Sequence, residues 1–138
     1  ADPGSSVVRA AHALDIAVVP LVGPVSLLLA LAASGLNGQN FAFVGYVPNT
    51  PAERTQRIRE LEALATQTGQ TQLFIETPYR NTALLQSLLQ TLQPHTRLAT
   101  ASAITLSQAT YHSDTVQHWK RRAWVLDNAT PTVFAIGR

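Results

Sequence analysis

Short apolar runs alternate with helical patterns along this chain. Runs that are rich in β-branched and aromatic residues predict buried strands. Apolar residues at spacings of three and four predict helices with one face in the core. The predicted strands are residues 16–22, 41–47, 72–76, 97–106 and 132–136, and the predicted helices are residues 5–14, 24–34, 50–69, 82–92 and 114–122.

Two of the predicted helices carry recognisable start and stop signals. Pro24 suits the first position of its helix, and Gly35 suits the position after the last turn. Residues 50–53, Thr-Pro-Ala-Glu, are a capping box that opens the following helix, which is predicted to end at Gly69. The side chains predicted to face the core from the two longest helical patterns are Ile58, Leu61, Leu64, Leu85, Leu88, Leu89 and Leu92.

The alternation of strands and helices predicts an α/β fold with helices on both faces of the sheet. Turn residues cluster at 37–40 and again at 48–51, and the first third of the chain carries very few charges. Such shifts in composition mark an internal boundary. We therefore predict two parts, residues 1–37 and residues 38–138.

Apolar residues make up 46% of the chain and charged residues only 13%, about half the usual share. A core of ordinary size and a partly covered surface are expected from these values. The uncharged span 16–52 raises the question of a membrane helix. Pro20, Gly23 and Pro24 cut it into pieces shorter than the roughly 20 residues that a membrane helix needs. The sequence therefore predicts no membrane association.

Methionine and cysteine are both absent. The missing initiator methionine suggests a fragment or a processed chain. Without cysteine, disulfides, thiolate catalysis and cysteine-ligated metals are excluded, and the cytoplasm is the default location. There is no Gly-x-Ser-x-Gly elbow, Gly-x-Gly-x-x-Gly fingerprint or Walker loop, which argues against hydrolase, dinucleotide and nucleotide-hydrolysis chemistry.

The segment 23–26, Gly-Pro-Val-Ser, joins a predicted strand to a predicted helix, where α/β sheets bind ligands. Its glycine lets a ligand approach the backbone. The free N–H groups of the first turn and the Ser26 hydroxyl are able to bind an anion or a carboxylate. Gly-Pro turns are also common, and the local residues alone favour a plain turn. The same alternatives apply to Asp-Pro-Gly at residues 2–4.

Glu76, Tyr79 and Arg80 follow an apolar strand, so a carboxylate, a phenol and a guanidinium emerge at one strand end. Glu76 is suited to orient a ribose or an amine, and Arg80 is suited to bind a phosphate. The alternative is a mutual ion pair that caps the next helix. The residues alone support the two interpretations about equally.

Histidines and tryptophans give weaker signals. Only His112 and His118 are close in sequence, and their spacing of six matches no metal motif, so no metal site is predicted. Trp119 and Trp124 flank the basic segment 120–122, a mixture that is able to contact RNA. Tryptophans near a helix end more often pack against the sheet, and we favour that interpretation.

Six segments form an ordered pattern over nearly the whole chain: ADPGSSVVRAAH (1–12), VVPLVGPVSLLLALAASGL (18–36), FAFVGYVPN (41–49), QLFIETPYRN (72–81), AITL (103–106) and PTVF (131–134). In this order and spacing they resemble the tetrapyrrole methylase superfamily, and within it the branch of ribosomal RNA small subunit methyltransferase I. The resemblance implies a homodimeric enzyme that transfers a methyl group from S-adenosylmethionine (SAM) to the ribose 2′-hydroxyl of a cytidine in 16S ribosomal RNA. It also implies proteins about twice this length, with SAM between two domains, so the present chain would be inactive alone. Residues 1–37 would be the end of the N-terminal α/β domain, and residues 38–138 would be the C-terminal α/β domain.

The resemblance also implies site residues. Ser26 and its neighbours would contact SAM through backbone groups and a hydroxyl, and Tyr79 and Arg80 would contact the substrate. Glu76 is the carboxylate at a suitable strand end, and we assign it the role of general base for the ribose hydroxyl. The residues implied at the cofactor are Asp2, Pro3, Gly4, Val25, Ser26, Leu27, Phe74, Ile75, Ala101 and Ser102.

Two departures from the family pattern leave the methyl acceptor open. Residues 76–80 read Glu-Thr-Pro-Tyr-Arg where the branch usually has Glu-Ser-x-His-Arg, and residues 107–110 lack the acidic residue that the branch tends to show. Two alternatives remain. One is a non-catalytic RNA-binding or assembly module that uses Arg80, Arg97 and residues 120–122, and the other is a methylase of a small molecule such as a tetrapyrrole.

Overall fold

A computed structural model describes residues 4–138. The strands are β1 (Phe41–Tyr46), β2 (Thr71–Ile75), β3 (Arg97–Ser102), β4 (Thr110–Thr115) and β5 (Thr132–Gly137). The helices are α1 (Ser5–Ala13), α2 (Ser26–Ser34), α3 (Pro51–Thr68), α4 (Asn81–Thr91) and α5 (Val116–Arg122). One mixed sheet has the order β1-β2-β5-β3-β4, in which β1 and β2 are parallel and all other neighbours are antiparallel. The predicted α/β class is confirmed.

Helices cover both faces of the sheet, as the sequence predicts. On one face α3, α4 and α5 pack around Phe74 and Phe134, whose rings stack 5.9 Å apart. On the other face α2 packs where the small side chains Ala99 and Ala101 let a helix approach closely. Successive side chains of a strand point to opposite faces. Phe74 and its neighbour Ile75 therefore belong to different cores.

The boundaries of α3 agree with the prediction, but two predicted features of this helix are wrong. It begins with Pro51 at its first turn and ends before Gly69, whose φ of 70° is the left-handed conformation expected there. Leu64 was predicted to face the core but is 41% exposed, because the buried stripe continues through Ala65 instead. The predicted capping box is wrong in its contacts, since the Thr50 hydroxyl donates to the Glu53 carboxylate and does not cap a backbone N–H group.

The predicted strand at residues 16–22 is wrong. These residues form no strand, and Leu21 and Val22 are almost fully exposed. A strand needs a neighbour that pairs its backbone N–H and C=O groups. Within residues 4–138 the sheet ends at β1 and β4, and neither pairs with this segment. The apolar run predicted a burial that the described part of the chain does not provide.

Strand β3 ends at Ser102, earlier than the predicted end at residue 106. Ala103 and Thr105 have positive φ values of 52° and 73°, which no extended strand accommodates. The segment after β3 is therefore irregular, although none of its residues is glycine.

Strand β4 was not predicted, and the helix predicted from residue 114 begins later, at Val116. The β4 sequence TYHSDT is polar because the strand lies at the edge of the sheet and pairs with β3 alone. Thr115 ends the strand, and its side chain accepts a hydrogen bond from the His118 N–H group as the cap of α5. A capping threonine separates strand from helix here.

The two tryptophans pack against the sheet, as favoured from the sequence. Trp119 is fully buried, and its indole Nε1 donates to the Leu98 carbonyl oxygen at 2.7 Å. Trp124 is half-buried and stacks on His112, with the ring centroids 4.6 Å apart. It also packs edge-on against Trp119, with the ring centroids 4.8 Å apart, and contacts the guanidinium of Arg122.

Helix α2 is held to the sheet by apolar packing and by a hydrogen bond from the Ser113 hydroxyl to the Ser34 carbonyl oxygen. Gly35 follows it with a φ of 68°, which confirms the predicted end of this helix. The proposed boundary after residue 37 falls between α2 and β1 and stays a prediction. None of the helices within residues 4–138 is long and apolar enough to cross a bilayer.

Candidate functional site

A cleft of about 670 Å³ lies at one edge of the sheet. The carboxyl ends of β1, β2 and β3 meet the start of β5 there, because β5 is antiparallel to both β2 and β3. The first residue of α2 reaches the same edge. Ligands in α/β proteins collect at this edge. The apolar lining comes from Ile75, Ile104, Leu106 and Val133, and the polar lining includes Ser26, Tyr46, Glu76, Gln108 and Thr130.

Glu76 is the carboxylate of this cleft, and its side chain is buried. Its Oε1 atom accepts three hydrogen bonds: from the Thr77 N–H group at 2.7 Å, from the Thr77 hydroxyl at 3.2 Å and from Arg80 Nη2 at 2.8 Å. Its Oε2 atom has no partner within the described residues. A buried carboxylate oxygen without a partner is costly, and a ligand hydroxyl or amine would satisfy it.

Arg80 connects Glu76 to the surface. Its Nη1 atom donates to the Tyr79 hydroxyl at 2.9 Å, and its guanidinium also lies over the Tyr79 ring. The hydrogen bond to Glu76 raises the pKa of the Arg80 guanidinium above its usual value. The ion pair that the sequence offered as an alternative is therefore present. Its arginine lies in the 3₁₀ turn Pro78–Arg80, just before α4.

Asn81 fixes the floor of the cleft. It is fully buried, and its Nδ2 atom donates to the carbonyl oxygens of Asp127 and Thr130 and to the Thr132 hydroxyl. The Thr132 hydroxyl also bonds the Ser102 hydroxyl at 2.8 Å. These contacts tie the start of α4 to the loop before β5 and to the end of β3.

The loop that contributes residues 129–131 to the cleft is organised by Asp127. Its carboxylate accepts hydrogen bonds from the Thr130 hydroxyl and from the N–H groups of Ala129 and Thr130. These hydrogen bonds lower the pKa of Asp127, and the bond from the Thr130 hydroxyl makes the largest contribution. The Asp127 carboxylate therefore holds this loop in shape together with Asn81.

The structure places the residues predicted for the site in different surroundings. Ser26, Ile75 and Glu76 line the cleft. Phe74, Ala101 and Ser102 are buried within the sheet, and Tyr79 is 65% exposed beside Arg80. Val25 and Leu27 flank Ser26, with Val25 exposed as the cap of α2 and Leu27 packed against the second core. Gly4 begins α1, and Asp2 and Pro3 lie outside the described residues.

Sequence reasoning did not find the walls that come from the segment after β3 and from the loop before β5. Ile104 and Leu106 lie where Ala103 and Thr105 turn the chain with positive φ, which no glycine signals. Tyr46 was available from the sequence, because it ends a strand parallel to β2 and therefore shares its carboxyl edge. No group of three or more His, Asp or Glu side chains within residues 4–138 is arranged to hold a metal ion.

Two solved structures that share this fold are named as methyltransferases. The methyltransferase CobJ matches 97% of this chain and 58% of its own with a TM-score of 0.57 and 21% identity. Uroporphyrin-III C-methyltransferase from Thermus thermophilus, complexed with S-adenosylhomocysteine, matches 98% of this chain and 59% of its own with a TM-score of 0.52 and 17% identity. The chain has the tetrapyrrole methylase fold.

Sequence comparison is more specific than the comparison of folds. Proteins named ribosomal RNA small subunit methyltransferase I are 40% identical over 87 residues in Pseudomonas aeruginosa, 35% over 115 in Neisseria meningitidis serogroup A and 30% over 127 in Halalkalibacterium halodurans. The matches cover 63%, 83% and 90% of this chain and 28%, 38% and 42% of the relatives. No model of an established family matches. The chain is a relative of ribosomal RNA small subunit methyltransferase I within the tetrapyrrole methylase superfamily, and it spans less than half the length of those relatives.

Proposed function

We propose that this chain forms one wall of a SAM-binding cleft in a methyltransferase that acts on ribosomal RNA. The observation that carries the proposal is the cleft at the carboxyl edge of the sheet, where the buried Glu76 has an oxygen without a partner. The relatives named for ribosomal RNA methylation support the choice of substrate. The structure bound to S-adenosylhomocysteine supports the choice of cofactor.

The residues of the cleft fit a nucleoside cofactor. Ile75, Ile104 and Val133 offer an apolar wall for an adenine ring. The Ser26 hydroxyl, at the start of α2, is able to bind the cofactor's carboxylate. When bound, SAM supplies an electrophilic methyl group. The roles of Asp2, Pro3, Gly4, Val25, Leu27, Phe74, Ala101 and Ser102 at the cofactor stay predictions.

The work left to this chain is to bind, to orient and to exclude water. Glu76 is proposed as the general base that removes the proton of a ribose 2′-hydroxyl, held in place by Arg80 and the Thr77 N–H group. Tyr79 and Arg80 are proposed to contact the RNA, since Tyr79 is exposed and Arg80 carries a positive charge at the rim. A homodimer is part of the same proposal.

The test uses the protein as its gene encodes it. We expect it to transfer labelled methyl groups from SAM to 16S ribosomal RNA, and nucleoside digestion with mass spectrometry should identify a 2′-O-methylcytidine. Labelling of a tetrapyrrole but not of RNA would contradict the substrate. Absence of SAM binding by calorimetry would contradict the methyltransferase assignment itself.

The 138-residue chain alone is expected to be inactive, because it spans less than half the length of its relatives. Calorimetric titration of SAM into this chain and into the protein as encoded tests that expectation. Equal affinity and equal turnover in both would show that these residues hold the whole site.

A further inference from the structure

A second pocket, of about 410 Å³, lies at the opposite edge of the sheet from the cleft. One wall is the outer side of α3, and another is the turn at residues 93–96 that precedes β3. Arg138, directly after β5, closes it. Strands of five or six residues separate the pocket from the cleft, a distance of roughly 20 Å. The pocket therefore belongs to a different site.

The lining of this pocket is rich in cationic and hydrogen-bonding groups. Arg59 and Arg138 supply two guanidinium groups, and His95 adds an imidazole. The ion pairs of the described residues are Arg57–Glu60, Arg80–Glu76 and His118–Asp114, so neither pocket arginine has a carboxylate partner there. Arginine forks match phosphate oxygens, and unpaired arginines in a concavity attract anions.

Glu62 is the carboxylate among the lining residues, and its Oε1 atom is already engaged. That atom accepts hydrogen bonds from the Gln93 N–H group at 2.8 Å and from the Thr96 hydroxyl, and the residue is only 8% exposed. Glu62 therefore holds the 93–96 turn against α3 and builds the wall. The more exposed charges of the pocket are positive.

The position of the Arg138 side chain has a structural explanation, whereas that of the Arg59 side chain has none. The guanidinium of Arg138 lies against Gly69, which follows α3, where a cation is favoured by the helix dipole. Arg59 is on the exposed side of α3, and no described hydrogen bond engages its side chain. Arg59 is therefore the pocket cation that no described contact accounts for.

We propose that this pocket binds a phosphate group through Arg59 and Arg138, and that the group is a backbone phosphate of the RNA substrate. The assignment to RNA rests on the proposed function. A large RNA is able to touch the cleft and this pocket at once, so the pocket adds affinity and orientation without contacting a base. Free phosphate has the same chemistry, and the experiment separates the two.

The experiment compares Arg59→Gln with Arg57→Gln. Both changes remove one positive charge from α3, but Arg57 is paired with Glu60 at 3.3 Å and does not line the pocket. Binding of a fluorescein-labelled 16S ribosomal RNA hairpin is measured by anisotropy over a range of salt concentrations, and inorganic phosphate is used as competitor. We expect Arg59→Gln to weaken binding about five- to tenfold and to lower the salt slope by about 0.7 to 0.9, while Arg57→Gln changes both little.

Two results would overturn the proposal. Equal losses in the two variants would show a diffuse charge effect without a site. Loss of phosphate competition in Arg59→Gln with unchanged RNA affinity would show a pocket for small anions. A SAM titration of the unaltered protein and of the same variants separates this proposal from the proposed function. Failure of the unaltered protein to bind SAM would contradict the methyltransferase assignment. The comparison of Arg59→Gln with Arg57→Gln depends only on the measured RNA affinities.

Discussion

Arg80 Nη2 lies 2.8 Å from Glu76 Oε1, and this ion pair joins the end of β2 to the turn that starts α4. The pair was one of two interpretations of the segment Glu-Thr-Pro-Tyr-Arg, and it does not displace the other. Glu76 has a second oxygen, buried beside the cleft, that no described residue engages, so the same carboxylate is a structural anchor and also has an unused acceptor. A residue with two such roles is the most informative place to test the proposed function.

Glu76→Gln keeps the size of the side chain and removes its charge. If Glu76 is the general base, we expect the turnover of the protein as encoded to fall about 10²-fold with little change in SAM affinity. Methyl transfer rates and calorimetric SAM titration are the measurements. Glu60→Gln, on the exposed side of α3, is the matched control and should leave both unchanged. A loss of SAM affinity at unchanged turnover would make Glu76 a cofactor ligand, and an unchanged rate would remove it from the chemistry.

Asn81→Asp tests the link between α4 and the loop before β5. Asn81 Nδ2 donates to two carbonyl oxygens and one hydroxyl, and an aspartate presents an acceptor to both carbonyl oxygens. With the group fully buried, we expect the free energy of unfolding to fall by about 1–3 kcal/mol or more. Urea unfolding measures it. Asn49→Asp makes the same chemical change at an exposed position, so a similar loss there would contradict this role of Asn81.

Phe74→Ala tests the core between the sheet and helices α3, α4 and α5. The ring is fully buried and stacked on Phe134, so its removal should lower the free energy of unfolding by about 3–5 kcal/mol. Phe41, on the edge strand, is 40% exposed, and Phe41→Ala should cost much less. Urea midpoints of the two variants give the comparison, and equal losses would contradict the position of Phe74.

The elements that were predicted correctly have signals within their own sequence. Strands β2 and β5 are central and apolar, and α3 has a proline at its start and a glycine after its end. Strand β4 was missed because an edge strand needs no apolar pattern. The predicted strand at residues 16–22 failed for the converse reason, since apolar residues form a strand only where a neighbour pairs with them.

The same distinction between local signals and long-range contacts applies to the residues of the cleft. Glu76 was found because strand ends form the ligand edge of an α/β sheet, and Ile75 was implied by the family resemblance. Alternation along β2 separates Phe74 from Ile75, so only one of these two neighbours is able to line a given cleft. The walls at Ile104 and Thr130 depend on long-range contacts and on positive φ at residues other than glycine, and no local pattern reports those.

Asp127 gives the chain a dependence of stability on pH that can be assigned to one loop. The Thr130 hydroxyl, followed by the N–H groups of Ala129 and Thr130, lowers the pKa of Asp127 below 3.8 in the folded state. A carboxyl with a lowered pKa stabilises the folded state fully above its unfolded pKa, and this contribution is lost as the pH falls through the folded pKa. Asp114 acts in the same direction, because the Thr115 N–H group and His118 lower its pKa.

We therefore expect the thermal midpoint to be flat above about pH 5 and to fall as the pH drops below 3.8. Asp127→Asn should make that fall shallower and leave the share of Asp114. Thr130→Val keeps the carboxylate but removes the hydroxyl that contributes most to the lowered pKa, so the acid loss of stability should be smaller and should be complete at a higher pH. Midpoints measured across the acid range check this. A profile unchanged by both variants would show that the 127–130 loop is not held by the ionised Asp127, and that another element shapes this side of the cleft.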